Sequence, residues 1–342
     1  MEKKYRKYNF DNLWKVFPVS RPVKEAVKTC LFTSLPFLFR NWEIYQNWKN
    51  SRVFKPTDLT VWHSAYWQRA LKKSYKIKLE EPAEHKVLQE KEQKLAVVIH
   101  VFYPEIFKEI MELLGQHSGV AMSLYLTGTK RALAESALLV HPKLFSSVIP
   151  LETANRGRDI LPFLSVLPKV FEDGHETVLK LHTKGSNHLN RKEHWRNQLF
   201  SKLIGKGSVG NALQIFRSNP SIGMIGPAGN ILPMYMYYAS NGAMVHNLCR
   251  RMEIEDARLQ DLNFVAGSMF YARREALQPV LNLQLSATGF APEAAQTDGT
   301  LAHAVERAFA AGLIASGLQL ADTEYSAENP VLRVSKVNRF IV

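Results

Sequence analysis

Seven consecutive residues, Leu95 to Val101 (LAVVIHV), are apolar but for one histidine. A strand with one wet face alternates apolar and polar residues, so an unbroken apolar run fits a strand covered on both faces. PEIFKEIMELLG follows, with Ile106, Ile110, Leu113 and Leu114 at a helical period and a close at Gly115. The same alternation then recurs. Strands are expected over 121–126, 146–151 and 176–181, with helices over 129–139 and 160–171 between them. Strands and helices alternating at this spacing call for an α/β fold with a doubly wound, mostly parallel sheet flanked by helices. Beyond it, helices are expected over 190–203, 208–216, 239–252 and from Thr300. Further strands are expected over 221–228 and 264–272, the second broken by Gly267. The α/β domain is assigned to residues 95–322, with a basic, aromatic-rich helical extension over 1–94 and a C-terminal tail over 323–342.

The chain is organised around residues 176–186, ETVLKLHTKGS. Thr177, Val178, Leu179 and Leu181 make a buried strand, which runs out into His182, Thr183, Lys184, Gly185 and Ser186. Ligands of open α/β sheets sit beyond the carboxyl ends of the strands. A histidine, hydroxyls and a lysine at that point suit an anion, and an ordinary polar loop has the same composition.

Charge separates the chain into unequal parts. Of the net +13, residues 1–94 hold +10, from 20 Lys and Arg against 10 Asp and Glu. Trp14, Phe17, Trp42 and Trp48 are interleaved there with Lys15, Arg40 and Lys49. Such a composition fits a helix lying in the headgroups of an anionic membrane, or a subdomain packed on the body with its basic face in solvent. Two cysteines, Cys30 and Cys249, neither build a zinc cluster nor suggest a disulfide scaffold, and point to a reducing compartment. No secretory signal pattern is evident, and the longest apolar run, Leu31 to Phe39, is too short to cross a bilayer and contains Pro36.

Four clusters carry candidate chemistry. Asn155, Arg156, Gly157, Arg158 and Asp159 stand at a strand-to-helix turn, where free backbone N–H groups and arginine forks form an anion site; Asp159 serves there as ligand or as N-cap. His182 and Lys184 begin a second cluster that reaches Trp195 and Arg196. Gly267 and Ser268 form a small-residue step in a strand, either a bulge or a place for close ligand approach. Glu293 and Asp298 supply carboxylates before a helix, where Asp298 is either a cap or a base.

The series VVIHVFYPEIF, ETANRGRDILPF, VLKLHTKGS, HWR, IGMIGP, FVAGSMFYARREAL and QTDGTLAHAVER resembles the rhamnan synthesis protein F family over about residues 95–320. The order of parts is also similar to that of GT-A glycosyltransferases. The resemblance implies a glycosyltransferase of cell-surface polysaccharide or lipopolysaccharide O-chain (O-antigen) assembly. Its donor would be a nucleotide sugar, dTDP-rhamnose, and its acceptor a lipid-linked glycan at the cytoplasmic face of the membrane. Where many GT-A enzymes carry an Asp-x-Asp metal motif, this chain reads Leu181-His182-Thr183-Lys184. No cofactor is assigned, and a divalent Mg2+ or Mn2+ stays open.

Glycosyl transfer builds negative charge on the departing diphosphate, which fixed cations or a metal must stabilise. Asn155, Arg156, Arg158, Asp159, His182 and Lys184 are assigned to the donor, and Gly267, Ser268, Trp195 and Arg196 to the acceptor side. Asp298 is expected as general base, with Glu293 in reserve. The alternative is a non-catalytic scaffold of a polysaccharide-assembly complex. A nucleic-acid partner is set aside, because the basic charge lies in an extension with no recognisable nucleic-acid module.

Overall fold

The computed structural model describes residues 27, 30–42, 45, 74–79, 94–117, 119–183, 192–255, 258–259, 262–293 and 298–335. Its strands are β1 (Ser74–Lys78), β2 (Leu95–Val101), β3 (Met122–Gly128), β4 (Ser147–Glu152), β5 (Thr177–His182) and β6 (Ile222–Gly226). They continue with β7 (Ile231–Pro233), β8 (Asn263–Val265), β9 (Phe270–Arg273), β10 (Gln319–Asp322) and β11 (Val331–Ser335). The principal helices are α1 (Pro104–Leu114), α2 (Lys130–Ala137), α3 (Ile160–Glu172), α4 (Lys192–Ile204) and α5 (Ser208–Ser218). After them come α6 (Gly242–Arg251), α7 (Arg274–Asn282), α8 (Leu301–Ala308) and α9 (Ala311–Ala315).

Seven strands form the central sheet in the order β10-β6-β9-β5-β2-β3-β4. Every residue of β2 and β3 is buried, as two covered faces require. β2 pairs in parallel with β3 and β5, β3 with β4, and β6 with β10. The fold is therefore α/β, with a mostly parallel sheet flanked by helices.

One strand departs from the parallel pattern. β9 runs antiparallel to both β5 and β6 and fills the gap between them. Residues 264–272, expected as one interrupted strand, form two strands in different sheets. β8 pairs with β7 in a short ribbon, and the chain then turns at Gly267–Ser268 and enters the central sheet from its carboxyl edge. Entry from that edge forces the antiparallel sense. β10, just before the segment assigned to the C-terminal tail, was not expected. Its last residue, Asp322, is buried and takes the Arg333 N–H at 2.8 Å, Arg333 Nη1 at 2.9 Å and the Glu324 N–H at 2.9 Å.

Ser74–Lys78, within the stretch assigned to the extension, pairs antiparallel with Val331–Ser335, and Leu332 and Val334 join the main core. Earlier in the extension, Phe32, Phe39 and Tyr45 make a small buried cluster, with Phe32 and Phe39 ring centroids 4.9 Å apart. Beside it, the short helix Pro36–Phe39 leaves Phe37 and Leu38 exposed. The rest of the helical assignment, including Trp14, Phe17 and Trp48, falls outside the described residues. Among these, no helix is long and apolar enough to cross a membrane.

Candidate functional site

Three segments meet at the carboxyl edge of the sheet: the turn after β4, the end of β5, and the corner before β9. The turn after β4 is made by Gly157 (φ 68°) and Arg158 (φ 58°), two successive left-handed residues. Only glycine fits at 157, because a Cβ there would lie 2.6 Å from Leu161 Cβ and 2.9 Å from Phe290 Cδ1. The turn is stitched to residues 287–293: Gly157 N–H donates to the Ala291 carbonyl at 3.1 Å, and Glu293 N–H to that of Asn155 at 3.2 Å. The Arg156 guanidinium donates to the carbonyls of Phe290 (3.2 Å) and Ala287 (3.5 Å), so it serves this seam. Asn155 is exposed on its outer side, and Glu293 lies across from it, half-buried.

Arg158 and Asp159 turn the other way. Arg158 Nη1 donates to His303 Nε2 at 2.7 Å, which leaves His303 Nδ1 to carry the proton towards Thr300 Oγ1, also at 2.7 Å. Burial, and then the Arg158 charge, hold the His303 pKa well below its ordinary value, so the ring is neutral near pH 7. Asp159 precedes α3 but makes no side-chain cap. Its carboxylate instead receives the Lys180 ammonium at 2.5 Å. Burial opposes ionisation of Asp159, yet Lys180, His182 and Arg158 together outweigh it and its pKa falls below the usual range.

Lys180 and His182 are two residues apart on β5 and therefore share a face. Both reach the corner before β9, where Gly267 (φ 90°) and Ser268 (φ 55°) are again a left-handed pair. Lys180 Nζ donates to the Ser268 carbonyl at 2.7 Å and to Ser268 Oγ at 2.9 Å; with Asp159 this uses all three of its protons. His182 Nε2 donates to the Gly267 carbonyl at 2.9 Å, while its buried Nδ1 has no partner among the described residues. Burial lowers the His182 pKa against the pull of Asp159, so this ring too is neutral. Trp195 lies behind the corner as its floor. Its Nε1 donates to Asn230 Oδ1 at 2.8 Å, and a Cβ on Gly267 would stand 3.0 Å from its Cζ2.

α8 closes the cluster. Glu306 Oε1 accepts the Gly267 N–H at 3.0 Å. Asp298 precedes the helix but is not its cap, a position held by Thr300. Asp298 Oδ2 accepts the Ser240 N–H at 3.1 Å and Oδ1 the Asn241 amide at 2.5 Å, with Arg307 Nη2 3.6 Å from Oδ1. Arg307 is itself buried on the carbonyls of Tyr237 and His303, at 2.7 Å each.

Arg158, Asp159, His182, Gly267 and Ser268 thus come together, with Asp298 at their border. Arg196 stands apart and donates to Glu109 of α1 at 3.2 Å. Lys184 lies outside the described residues. Sequence reasoning gave no role to Lys180, nor to His303, Glu306 and Arg307 on the helix after Asp298. The signal for Lys180 was available: a lysine inside an apolar strand, in phase with His182. Among the described residues, no group of three or more His, Cys, Asp or Glu side chains is placed to hold a metal ion.

A family model described as rhamnan synthesis protein F matches residues 52–316. The chain belongs to that family. The match starts before residue 95, where the motif series began, and so takes in part of the extension. The rhamnan synthesis name places the family in polysaccharide synthesis. Two proteins of Xanthomonas campestris pv. campestris, from strains B100 and ATCC 33913 and each named Uncharacterized protein WxcX, are 32% identical to this chain over 228 residues. The match covers 67% of this chain and 32% of each relative, so it spans about a third of their length. A solved mannosyltransferase, PcManGT from Pyrobaculum calidifontis in complex with GDP-Man and Mn2+, aligns with a TM-score of 0.35 at 13% identity, covering 63% of this chain and 53% of that one.

Proposed function

We propose that this member of the rhamnan synthesis protein F family is a glycosyltransferase. It moves a sugar, rhamnose from dTDP-rhamnose, to a lipid-linked cell-surface glycan at the inner face of the membrane. The observation that carries this is the buried polar cluster at the carboxyl edge of the sheet, where ligands of open α/β sheets bind. Departure of a nucleoside diphosphate needs fixed positive charge in a site that excludes water. Arg158, held by its left-handed turn and by His303, supplies such a charge, and the same task is assigned to Lys184. The buried Nδ1 of neutral His182 is an acceptor that a donor hydroxyl would satisfy. Gly267 and Ser268, backed by Trp195, form the corner assigned to the acceptor side. Exposed Phe37 and Leu38, beside a basic chain segment, favour attachment at an anionic membrane surface.

The metal enters through the donor set. Asp159, beside the end of β5, is committed to Lys180, and among the described residues no group of three or more His, Cys, Asp or Glu side chains is placed to hold an ion. In this reading fixed cations carry the leaving-group charge. The test is purified protein with dTDP-rhamnose, GDP-mannose and UDP-glucose, following nucleoside diphosphate release with and without EDTA. Release from dTDP-rhamnose at a rate indifferent to EDTA is expected. Binding without any release would favour the scaffold, and EDTA inhibition reversed by Mn2+ or Mg2+ would reject the metal-free account.

A further inference from the structure

A transferase of this kind needs a carboxylate that can take a proton from an acceptor hydroxyl. Besides Asp159, which is committed to Lys180, α8 and the loop before it bring two carboxylates, Glu306 and Asp298, and they differ in what already binds them. Asp298 has donors on both oxygens, Ser240 N–H on one and the Asn241 amide on the other, with Arg307 beside it. Both of its oxygens are thus already committed to fixed donors. Glu306 has one oxygen fixed by a backbone N–H, that of Gly267. Its other oxygen, Oε2, carries no hydrogen bond among the described residues and is not sealed from solvent.

We propose that Glu306 is the general base and that Asp298 is a positioning residue. This rests on the glycosyltransferase reading. Oε2 takes the acceptor hydroxyl proton as that oxygen bonds to the anomeric carbon. The bond from that carbon to the diphosphate oxygen breaks, and its electron pair leaves with the nucleoside diphosphate. The Gly267 N–H fixes Oε1 and so orients the carboxylate, while Trp195 and Leu199 fill the space where a side chain at 267 would stand. Asp298 acts through Asn241 and Arg307, holding the loop from which α8 starts.

Burial, reinforced by Asp159, raises the Glu306 pKa above the ordinary carboxylate value, against the lowering pull of Arg307, Arg158 and the Gly267 N–H. His303 on the same helix, Asp298 just before it, and His182 and Lys180 on β5 are the other ionisable groups of this corner. A raised pKa brings a carboxylate nearer the working pH and strengthens it as a base. The base works ionised, so turnover falls as pH drops through the Glu306 pKa. That limb therefore lies above the ordinary glutamate value of about 4.3.

The experiment measures dTDP release from dTDP-rhamnose across pH for wild type, Glu306→Gln, Glu306→Ala and Asp298→Asn, with donor binding followed separately. Glutamine keeps an oxygen for the Gly267 N–H and carries no charge to bury, so Glu306→Gln should melt no lower than wild type at neutral pH. It should bind donor normally, lose turnover by about 10² or more, and lose the acid limb. Glu306→Ala should be partly rescued by added formate, which also decides the matter if the glutamine variant fails to fold. Asp298→Asn should be slower yet keep the limb. Donor turnover by Glu306→Gln near the wild-type rate with the limb intact, or no formate rescue, overturns the proposal while leaving the transferase reading in place. A wild type that binds none of the three nucleotide sugars overturns both.

Discussion

Lys180, with 1% of its side chain exposed, gives all three ammonium protons to Asp159 and Ser268. Removing one partner of such a pair leaves a charge buried and unpaired. That costs about 3–5 kcal/mol, whereas replacing both by apolar groups is often neutral. Lys180→Met should therefore lower unfolding free energy by about 3–5 kcal/mol in urea titrations, and Lys180→Met/Asp159→Leu should recover most of the loss. A single variant within about 1 kcal/mol of wild type would show that the pair is not what holds the two corners together. Residue chemistry was only partly legible in the sequence. Arginines at 156 and 158 both marked an anion site, yet their forks go to different places. Arg156 meets the carbonyls of Ala287 and Phe290, a partner choice set by a loop more than a hundred residues away and invisible to local pattern.

At the scale of elements, two left-handed corners, Gly157–Arg158 and Gly267–Ser268, hold the edge of the sheet in shape. An alanine at 157 would meet both an unfavourable φ and the Leu161 and Phe290 side chains. The backbone cost alone is about 1–2 kcal/mol. Gly157→Ala should melt several degrees lower and should bind nucleotide sugar more weakly than its stability loss explains, because Arg158 rides on the same turn. Wild-type donor affinity in a destabilised Gly157→Ala would separate the turn from the site. The parallel core was readable because burial on both faces writes a continuous apolar run, as in β2, and because α1 buries Ile106, Phe107, Ile110, Met111 and Leu114 at a helical period. The sense of β9 was not readable. Strand direction depends on which edge the chain enters, and a four-residue strand, Phe270–Arg273, gives no periodic sign of it. β10 escaped notice for the same reason of length, its buried Asp322 reading as a polar loop residue until Arg333 is seen beside it.

For the molecule as a whole, charge asymmetry and the carboxyl-edge cluster assign separate tasks to separate regions. Deleting residues 1–50 removes the Phe32 cluster and exposed Phe37 while sparing β1 and the family match. The truncated protein should melt as wild type does and no longer sediment with anionic vesicles. Unchanged sedimentation would place membrane attachment elsewhere. The central claim, a nucleoside diphosphate sugar bound at the carboxyl edge, is tested most directly by saturation-transfer NMR with dTDP-rhamnose on wild type and Arg158→Gln. A charge-assisted hydrogen bond is worth about 1.5–3 kcal/mol, so its loss should weaken binding roughly tenfold or more. Saturation of the nucleotide and sugar protons by wild type, weakened to that extent in Arg158→Gln, is the result expected. No transfer to any nucleotide sugar from the wild-type protein, or equal binding by the two proteins, would contradict the account.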